Sequence, residues 1–532
     1  MSDPSLHAEG APPEPPAAFN MARHVLAAGA ATPDRIALQI LRPSGAERWS
    51  YGRLIAAVRG VAAGLRAEGL VPGDRVLLRL ENSVEFPLAF LGAIAGGMVA
   101  VPTPAGLTVP EITAIARGLR PAVVITGAGV AVPEGGHPVI TATRLADWAL
   151  SAEGGPDGWD DGWHMGPPDR PGYIVYTSGT SGQSRGVVHA HRAILARAMM
   201  HQGWYGLTPA DRLLHAGAFN WTYTLGTGLM DPWTVGAQAL IPAPGSTPAQ
   251  IALYLRRFDA TLFAAAPGVF RQVLRAAPAL SLPKLRHGLS AGEALPESLR
   301  EAWRAATGTE IHEALGMSEI STFVSASPSR PAPPGATGWP QPGRRVAVLG
   351  PDHQPVPRGT PGVLAVDRAD PGLFLGYLDA PAETAARHAG GWYLTGDMAT
   401  MAADGAITYL GRDDDMMNAG GFRVSPLEVE AAVARHPAVA EVACAEVAVK
   451  DGVRVIAAFY VARAPVTEAE LSAHAQACLA RYKQPRLWIA VDALPKNANG
   501  KANRRALRDG WRAPARRPDT EDDKDHSADP AP

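Results

Sequence analysis

Cysteine is scarce. Cys444 and Cys478 are the only two in 532 residues, too few to staple a secreted chain of this size, so a reducing cytoplasm is the expected compartment. An excess of one charge is missing too: Lys and Arg number 49 against 51 Asp and Glu, a net charge of -2. That removes the electrostatic case for nucleic acid or an acidic membrane surface as partner. The first twenty residues, MSDPSLHAEGAPPEPPAAFN, lack the basic start and apolar centre of a secretory signal. Residues 1–19 are therefore expected to form a disordered tail. One run, Phe86 to Pro110, goes 25 residues without a charge, long enough to cross a bilayer. Its four glycines and four prolines break it up, and it reads as a buried helix, a turn and a buried strand.

What is present is an α/β pattern. Ser50 is a plausible N-cap, followed by Leu54, Ile55, Val58, Val61, Ala62 and Leu65 on one helical face. Strand-like runs occur at Arg75 to Leu80, Pro121 to Thr126, Tyr173 to Tyr176 and Thr261 to Ala266, alternating with helical stretches such as Thr247 to Arg257 and Pro296 to Ala306. The alternation predicts a large N-terminal domain over 20–412 with largely parallel sheets. The charged stretch Arg412-Asp413-Asp414-Asp415 then leads into a small α+β domain over 413–508. Its expected elements are a helix from Pro426 to His436, strands near Glu441 to Val449 and Val455 to Val461, a helix opened by a Thr467/Glu470 capping box, and a strand near Trp488 to Val491. Residues 509–532 are charged, poor in apolar groups and expected to be disordered.

The richest local signal is Tyr173-Ile-Val-Tyr-Thr-Ser-Gly-Thr-Ser-Gly-Gln-Ser-Arg-Gly186. It reads as an apolar strand, a loop of glycines and hydroxyls, and a helix at His189 to Met200. Gly179, Gly182 and Gly186 would let backbone N–H groups approach a polyphosphate, while Thr177, Ser178, Thr180 and Ser181 donate hydroxyls and Arg185 supplies charge. The pattern is not that of a Walker P-loop, which disfavours that class of kinase or GTPase. His189-Ala-His191 has no companion cysteine or carboxylate at metal-ligand spacing and reads as helix-start polarity. Cys444 and Cys478 lie in apolar patterns and read as buried hydrophobes.

The Tyr173 to Gly186 segment resembles the signature of the adenylate-forming superfamily, Tyr-Thr-Ser-Gly-Thr-Thr-Gly-x-Pro-Lys-Gly, departing from it at Ser181, Ser184 and Arg185. Further resemblances follow in family order: Ser290-Ala-Gly-Glu-Ala-Leu295, Leu315-Gly-Met-Ser-Glu319, Tyr393-Leu-Thr-Gly-Asp397, Gly411-Arg-Asp-Asp-Asp415 and Leu494-Pro-Lys-Asn-Ala-Asn-Gly-Lys501. Together they span about 330 residues. The likeness extends over roughly residues 20 to 508 and is nearest to medium-chain or aryl acyl-CoA ligases.

The resemblance implies an enzyme that joins a carboxylic acid to AMP and then to the thiol of coenzyme A, using ATP and Mg²⁺. It implies that Thr177 to Arg185 hold the β- and γ-phosphates, with Thr177, Glu319 and Lys501 as the catalytic set. Glu319 is the expected Mg²⁺ carboxylate, and Ser318 replaces the usual Thr at the α-phosphate. Asp397 and Arg412 are expected at the ribose, and Gly292, Glu293 and Ala294 against adenine. Lys501 is expected to reach the carboxylate and α-phosphate, Asp414 to act as the hinge, and Gly420-Gly421 to line the thiol channel. Phe219 to Gly236 resembles the acid-pocket stretch of medium-chain and aryl ligases, with Trp221, Thr222, Ala314, Leu315, Gly316, Ser321 and Thr322 as pocket neighbours. Gly316 stands where acetyl-CoA synthetases carry a tryptophan, and reads as leaving room beyond two carbons. A branched, medium-chain or aromatic acid is expected; a homodimer stays open. Two other readings are an adenylation enzyme that loads a separate carrier protein and a non-catalytic nucleotide-binding relative. Glu319, Asp397, Arg412 and Lys501 together argue against the last.

Overall fold

In a computed structural model, which describes residues 3–151, 159, 162–178, 184–419, 422–450, 453–496 and 502–511, the alternation of helix and apolar strand resolves into sheets with parallel centres. The chain divides into two units, Met1–Asp413 and Asp414–Pro532.

In the first unit, a nine-stranded sheet runs from Trp339–Pro340 through Ser321–Ser325, Ile311–Met317, His287–Ala291, Leu262–Ala265, Arg212–His215, Gln238–Pro242 and Ile36–Arg42 to Gly45–Ser50. From Ile311–Met317 to Ile36–Arg42 every pairing is parallel. Such strands are covered on both faces and read as unbroken apolar runs, as Leu262–Ala265 does. Helix Glu297–Thr307 packs onto this sheet through Trp303, which is fully buried with its ring 5.7 Å from Phe263 and 4.9 Å from Phe270. Beyond Ile311–Met317 the chain reverses, and Ser321–Ser325 adds an antiparallel edge.

The seven-stranded sheet has the order Gly376–Tyr377, Ser184–Ala190, Pro171–Ser178, Val99–Pro102, Arg75–Arg79, Val123–Thr126, Val139–Thr141. Helix Tyr51–Ala67 starts where the Ser50 side chain accepts from Arg53 N, and it buries Leu54, Ile55, Val58, Val61, Ala62 and Leu65 as its periodicity requires. The uncharged run becomes helix Glu85–Ala95 and strand Val99–Pro102, both with buried faces. Among the described residues no helix is long and apolar enough to cross a membrane. A third, six-stranded sheet is antiparallel and includes Trp392–Met401 and Ile407–Arg412.

Two expectations change in this unit. Residues 3–19 are not simply a tail: Leu6–Ala8 pairs antiparallel with Arg345–Leu349, because an open sheet edge offers backbone partners that proline-flanked residues can still use. The stretch after the glycine loop does not begin a helix at His189. It is strand Ser184–Ala190, antiparallel to Pro171–Ser178, and helix starts only at Ala193–Arg197.

The second unit is α+β. Strands Val439–Lys450 and Val453–Ala462 pair antiparallel, Leu487–Ala490 adds a parallel strand, and helices Pro426–Val433, Glu468–Cys478 and Arg504–Gly510 complete it. The Thr467/Glu470 capping box is formed. Cys444 is buried, but Cys478 is exposed. Its helix ends there, and the next residue, Leu479, turns to extended backbone and takes the buried position instead. Residues 512–532 lie outside the described residues.

Candidate active site

Ser318 and Glu319 occupy the tip of the hairpin between Ile311–Met317 and Ser321–Ser325. Four contacts hold the tip and its carboxylate. Ile320 N closes the turn onto Met317 O at 3.3 Å, and Phe374 N donates to Glu319 O at 2.8 Å. The Tyr377 hydroxyl donates to the Glu319 carboxylate at 2.8 Å, and His189 Nε2 lies 2.7 Å from Ser318 O. A carbonyl only accepts, so Nε2 carries the proton. Burial pushes the His189 pKa down to about 4, which keeps the ring neutral. Burial and the adjoining Glu319 charge raise Tyr377 to about 12, so it remains a donor.

Glu319 is 9% exposed and receives one described side-chain hydrogen bond, leaving lone pairs for another partner. A hard carboxylate oxygen suits Mg²⁺, which typically takes one or two protein carboxylates and completes its shell with phosphate oxygens and water. Among the described residues no group of three or more His, Cys, Asp or Glu gathers into a metal cage. A single carboxylate with lone pairs to spare fits a metal that shares its shell with substrate.

The segment expected to hold polyphosphate joins two strands of an antiparallel hairpin, with Thr177 opposite Arg185. The strand that follows is thus Ser184–Ala190 and not the expected helix. Gly179, Thr180, Ser181 and Gly182 lie outside the described residues, as does the side chain of Ser178. Arg185 Nε pairs with Glu383 at 2.7 Å, and its guanidinium stands 5.5 Å from the centre of the Tyr377 ring. The same tyrosine therefore touches both Arg185 and Glu319.

Asp397 and Arg412 stand opposite each other in neighbouring strands. Arg412 Nη1 lies 3.4 Å from Asp397 Oδ1 and donates to Thr395 O at 3.2 Å, while Asp397 N donates to Thr395 Oγ1 at 3.0 Å. Asp397 is 5% exposed. Gly292, Glu293 and Ala294 leave the end of strand His287–Ala291, and the following Leu295 N donates to Glu313 at 3.0 Å. Sequence reading missed Glu313; its signal is a lone acid inside the apolar run Ile311 to Met317. Burial raises its pKa to about 7.

Of the acid-pocket candidates, Trp221 lies against Gly292: a Cβ there would be 2.7 Å from its ring. Thr222 and Leu315 are half-buried and Ala314 is buried. Asn82 holds the approach to Trp221 by donating to Gly217 O at 2.8 Å and accepting from Phe219 N at 3.0 Å. Three residues depart from expectation. The Ser321 hydroxyl accepts from Arg197, and the Thr322 hydroxyl faces Met200 Sδ, so both have partners inside the protein. Gly316 is not beside open space, since a Cβ would lie 2.6 Å from Ser321 O and 2.7 Å from Thr322 Cα. The glycine permits the close backbone approach at the bulge between Leu315 and Gly316.

In the second unit, Gly420, Gly421 and Lys501 lie outside the described residues, and so does the side chain of Asp414. The flanks of Lys501 are held: Lys496 and Ala502 form a bridge, and Arg504 makes a forked pair with Glu430 at 2.7 and 3.0 Å.

Gly316→Trp is expected to lower the melting temperature, by the equivalent of about 1–3 kcal/mol or more, without redirecting acid preference. Thermal unfolding beside an acid-preference assay checks this. A second expectation concerns pH. The folded Glu313 pKa of about 7 lies above its ordinary 4.5, so the folded state binds the extra proton between those values. Stability falls as pH rises through that window and is level above it. Glu313→Gln should remove this part of the fall, seen by comparing urea midpoints at about pH 5 and about pH 8.

Residues 25–378 match the family described as AMP-binding enzyme, and residues 428–501 match the AMP-binding enzyme C-terminal domain. Benzoate–CoA ligase from Thauera aromatica is 31% identical over 484 residues, covering 86% of this chain and 90% of that protein. Acyl-coenzyme A synthetase ACSM2A, mitochondrial, from Homo sapiens is 30% identical over 533 residues, covering 93% and 91%. Among solved structures, the anthranilate CoA ligase AuaEII in complex with anthranoyl-AMP superposes with a TM-score of 0.84 at 27% identity, over 93% of this chain and 98% of that one. With the first match alone covering more than half its length, and a fold that puts Ser318 and Glu319 at one hairpin tip and Asp397 beside Arg412, this chain belongs to the AMP-binding, adenylate-forming enzymes.

Proposed function

We propose that the protein is an ATP-dependent acid–CoA ligase acting on an aromatic, medium-chain or branched carboxylic acid. The observation that carries the proposal is the buried Glu319 carboxylate beside Ser318, with Tyr377 as its hydrogen-bond donor. A carboxylate oxygen of the acid attacks the α-phosphorus of ATP, the bond to the bridging oxygen breaks, and pyrophosphate leaves. The thiol of coenzyme A then attacks the acyl carbon and AMP departs. When bound at Glu319, Mg²⁺ neutralises phosphate charge.

In this reading Ser318 donates to the α-phosphate, and the segment from Thr177 to Arg185 holds the β- and γ-phosphates. Arg185 gives a planar fork where the family uses a point-charge lysine; its pairing with Glu383 is one the polyphosphate would compete with. Asp397 accepts from the ribose hydroxyls, with Arg412 beside it. Gly292 to Ala294 take the adenine, and Trp221, Thr222, Ala314 and Leu315 take the acid. Lys501 contributes charge in the first half-reaction, Asp414 is the hinge, and Gly420-Gly421 line the thiol path. The aromatic choice is supported by the benzoate–CoA ligase relative, and coenzyme A as acceptor by that relative and by the acyl-coenzyme A synthetase ACSM2A.

The test is pyrophosphate exchange with ATP, Mg²⁺ and a panel of aromatic, branched, medium and short acids, followed by AMP release on adding CoA. Exchange with at least one acid and thioester formation with CoA are expected. Turnover with a carrier protein but none with CoA would reject the acceptor. Lys501→Ala should cut adenylate formation by about 10²–10³-fold, the scale of one lost preorganised charge. Thioester formation from supplied acyl-adenylate should be largely retained; equal loss in both steps removes this role.

A further inference from the structure

Arg197 closes helix Ala193–Arg197, is 5% exposed, and faces Asp231, which is fully buried. Its Nε and Nη2 donate to the two Asp231 oxygens at 2.7 and 2.6 Å. Tyr205 donates to the same carboxylate at 2.7 Å, and Thr227 Oγ1 lies 2.8 Å from the tyrosine oxygen. Tyr205 and Thr227 sit on two π-helical segments, His201–Tyr205 and Thr224–Met230. The guanidinium lies over Gly226, where a Cβ would be 2.0 Å from Cζ. Desolvating two charges is offset only when geometry and remaining hydrogen bonds are good; here Arg197 Nη2 also donates to Thr227 Oγ1 at 3.3 Å, and one nitrogen is left for the hairpin. Arg197 Nη1 donates to Ser321 Oγ.

Ser321 is one of five non-glycine residues with positive φ among the described residues, at 69°, a conformation a serine keeps only where its surroundings impose it. The next residue is held from another side: Arg344, itself buried and paired with Asp370, donates to Thr322 O at 3.1 Å. These two residues form the return limb of the hairpin that presents Ser318 and Glu319, and Gly316 packs directly on their backbone.

We propose that the Arg197–Asp231 pair is a positioning element for adenylation: by holding Ser321 in its left-handed conformation it sets where Ser318 and Glu319 stand. The inference rests on the roles proposed above for Ser318 and Glu319. None of Arg197, Asp231 or Ser321 needs to touch a phosphate. Their effect belongs to the half-reaction that uses the metal and the α-phosphate, not to the transfer of a finished acyl group. That separates positioning from plain structural support, which would serve both halves equally.

The experiment measures pyrophosphate exchange across a Mg²⁺ titration, thioester formation from a supplied acyl-adenylate, and thermal unfolding. The full-length variants are Ser321→Ala, the charge-free double variant Arg197→Met/Asp231→Leu, and Glu319→Gln. Ser321→Ala should raise the Mg²⁺ concentration for half-maximal exchange by about tenfold, the scale of one lost hydrogen bond to a charged group. Thioester formation should stay near wild type. The double variant leaves no lone buried charge and should show the same raised Mg²⁺ requirement if folded; should it not fold, Ser321→Ala decides. A wild-type Mg²⁺ requirement in folded Ser321→Ala, or equal loss of both half-reactions, overturns the inference. If Glu319→Gln raises the requirement and Ser321→Ala does not, only the positioning role is lost. A wild-type requirement in Glu319→Gln overturns the metal reading and this inference with it.

Discussion

The tightness of a single backbone contact governs the site. Gly316 on the last parallel strand meets Ser321 and Thr322 on the returning strand so closely that a Cβ would have no place. With that contact made, the chain can reverse between Met317 and Ser321, and Ser318 and Glu319 project from a short turn rather than a long loop. A short turn restricts where a carboxylate can be, and restriction is what phosphoryl chemistry asks of a residue that does no covalent work of its own. Elements distant in sequence then meet the tip: Tyr377 at the carboxylate, Phe374 at the Glu319 carbonyl and His189 at the Ser318 carbonyl.

Around that contact, buried polar groups are kept neutral or paired. His189 loses its charge because burial lowers its pKa, and its one proton is committed to Ser318 O. Arg197 and Arg344 are paired with Asp231 and Asp370. Glu313 stands between these solutions, with a pKa lifted to about 7 by desolvation and opposed by the Leu295 backbone N–H. Because a polar interior left half-satisfied is expensive, such groups tend to specify one arrangement of the backbone around them. The backbone specified here is the hairpin and the Gly292 to Leu295 segment, the two places where nucleotide and acid are proposed to meet.

Arg185 shows how one substitution away from a family pattern can draw neighbours in. A lysine would bring a flexible point charge; the guanidinium can pair with Glu383 and stand over the Tyr377 ring at once. Its reach couples the hairpin that carries Arg185 to the tyrosine that holds Glu319, so two segments distant in the chain share the Tyr377 side chain.

Much of this was legible in the sequence, and the legible part is local. The Ser50 cap and its apolar stripe, the Thr467/Glu470 box, the apolar strands and the ordered motifs each depend on residues within a few positions of one another, where propensity and spacing act directly. The glycine-rich segment marked itself in the same way, but its composition suits a hairpin as well as a strand-to-helix turn, and only pairing of Pro171–Ser178 with Ser184–Ala190 chose the hairpin. Nothing in a lone serine announces a left-handed backbone, nothing in Gly316 says whether it opens a pocket or admits a neighbouring strand, and Leu6–Ala8 finds its partner more than 300 residues away. Residue types and their order determined the family and its chemistry. Which hydroxyl is spent on a buried arginine, which glycine is packed shut and which histidine stays neutral were decided by tertiary structure, because burial and hydrogen-bond partnership are properties of the whole packed chain.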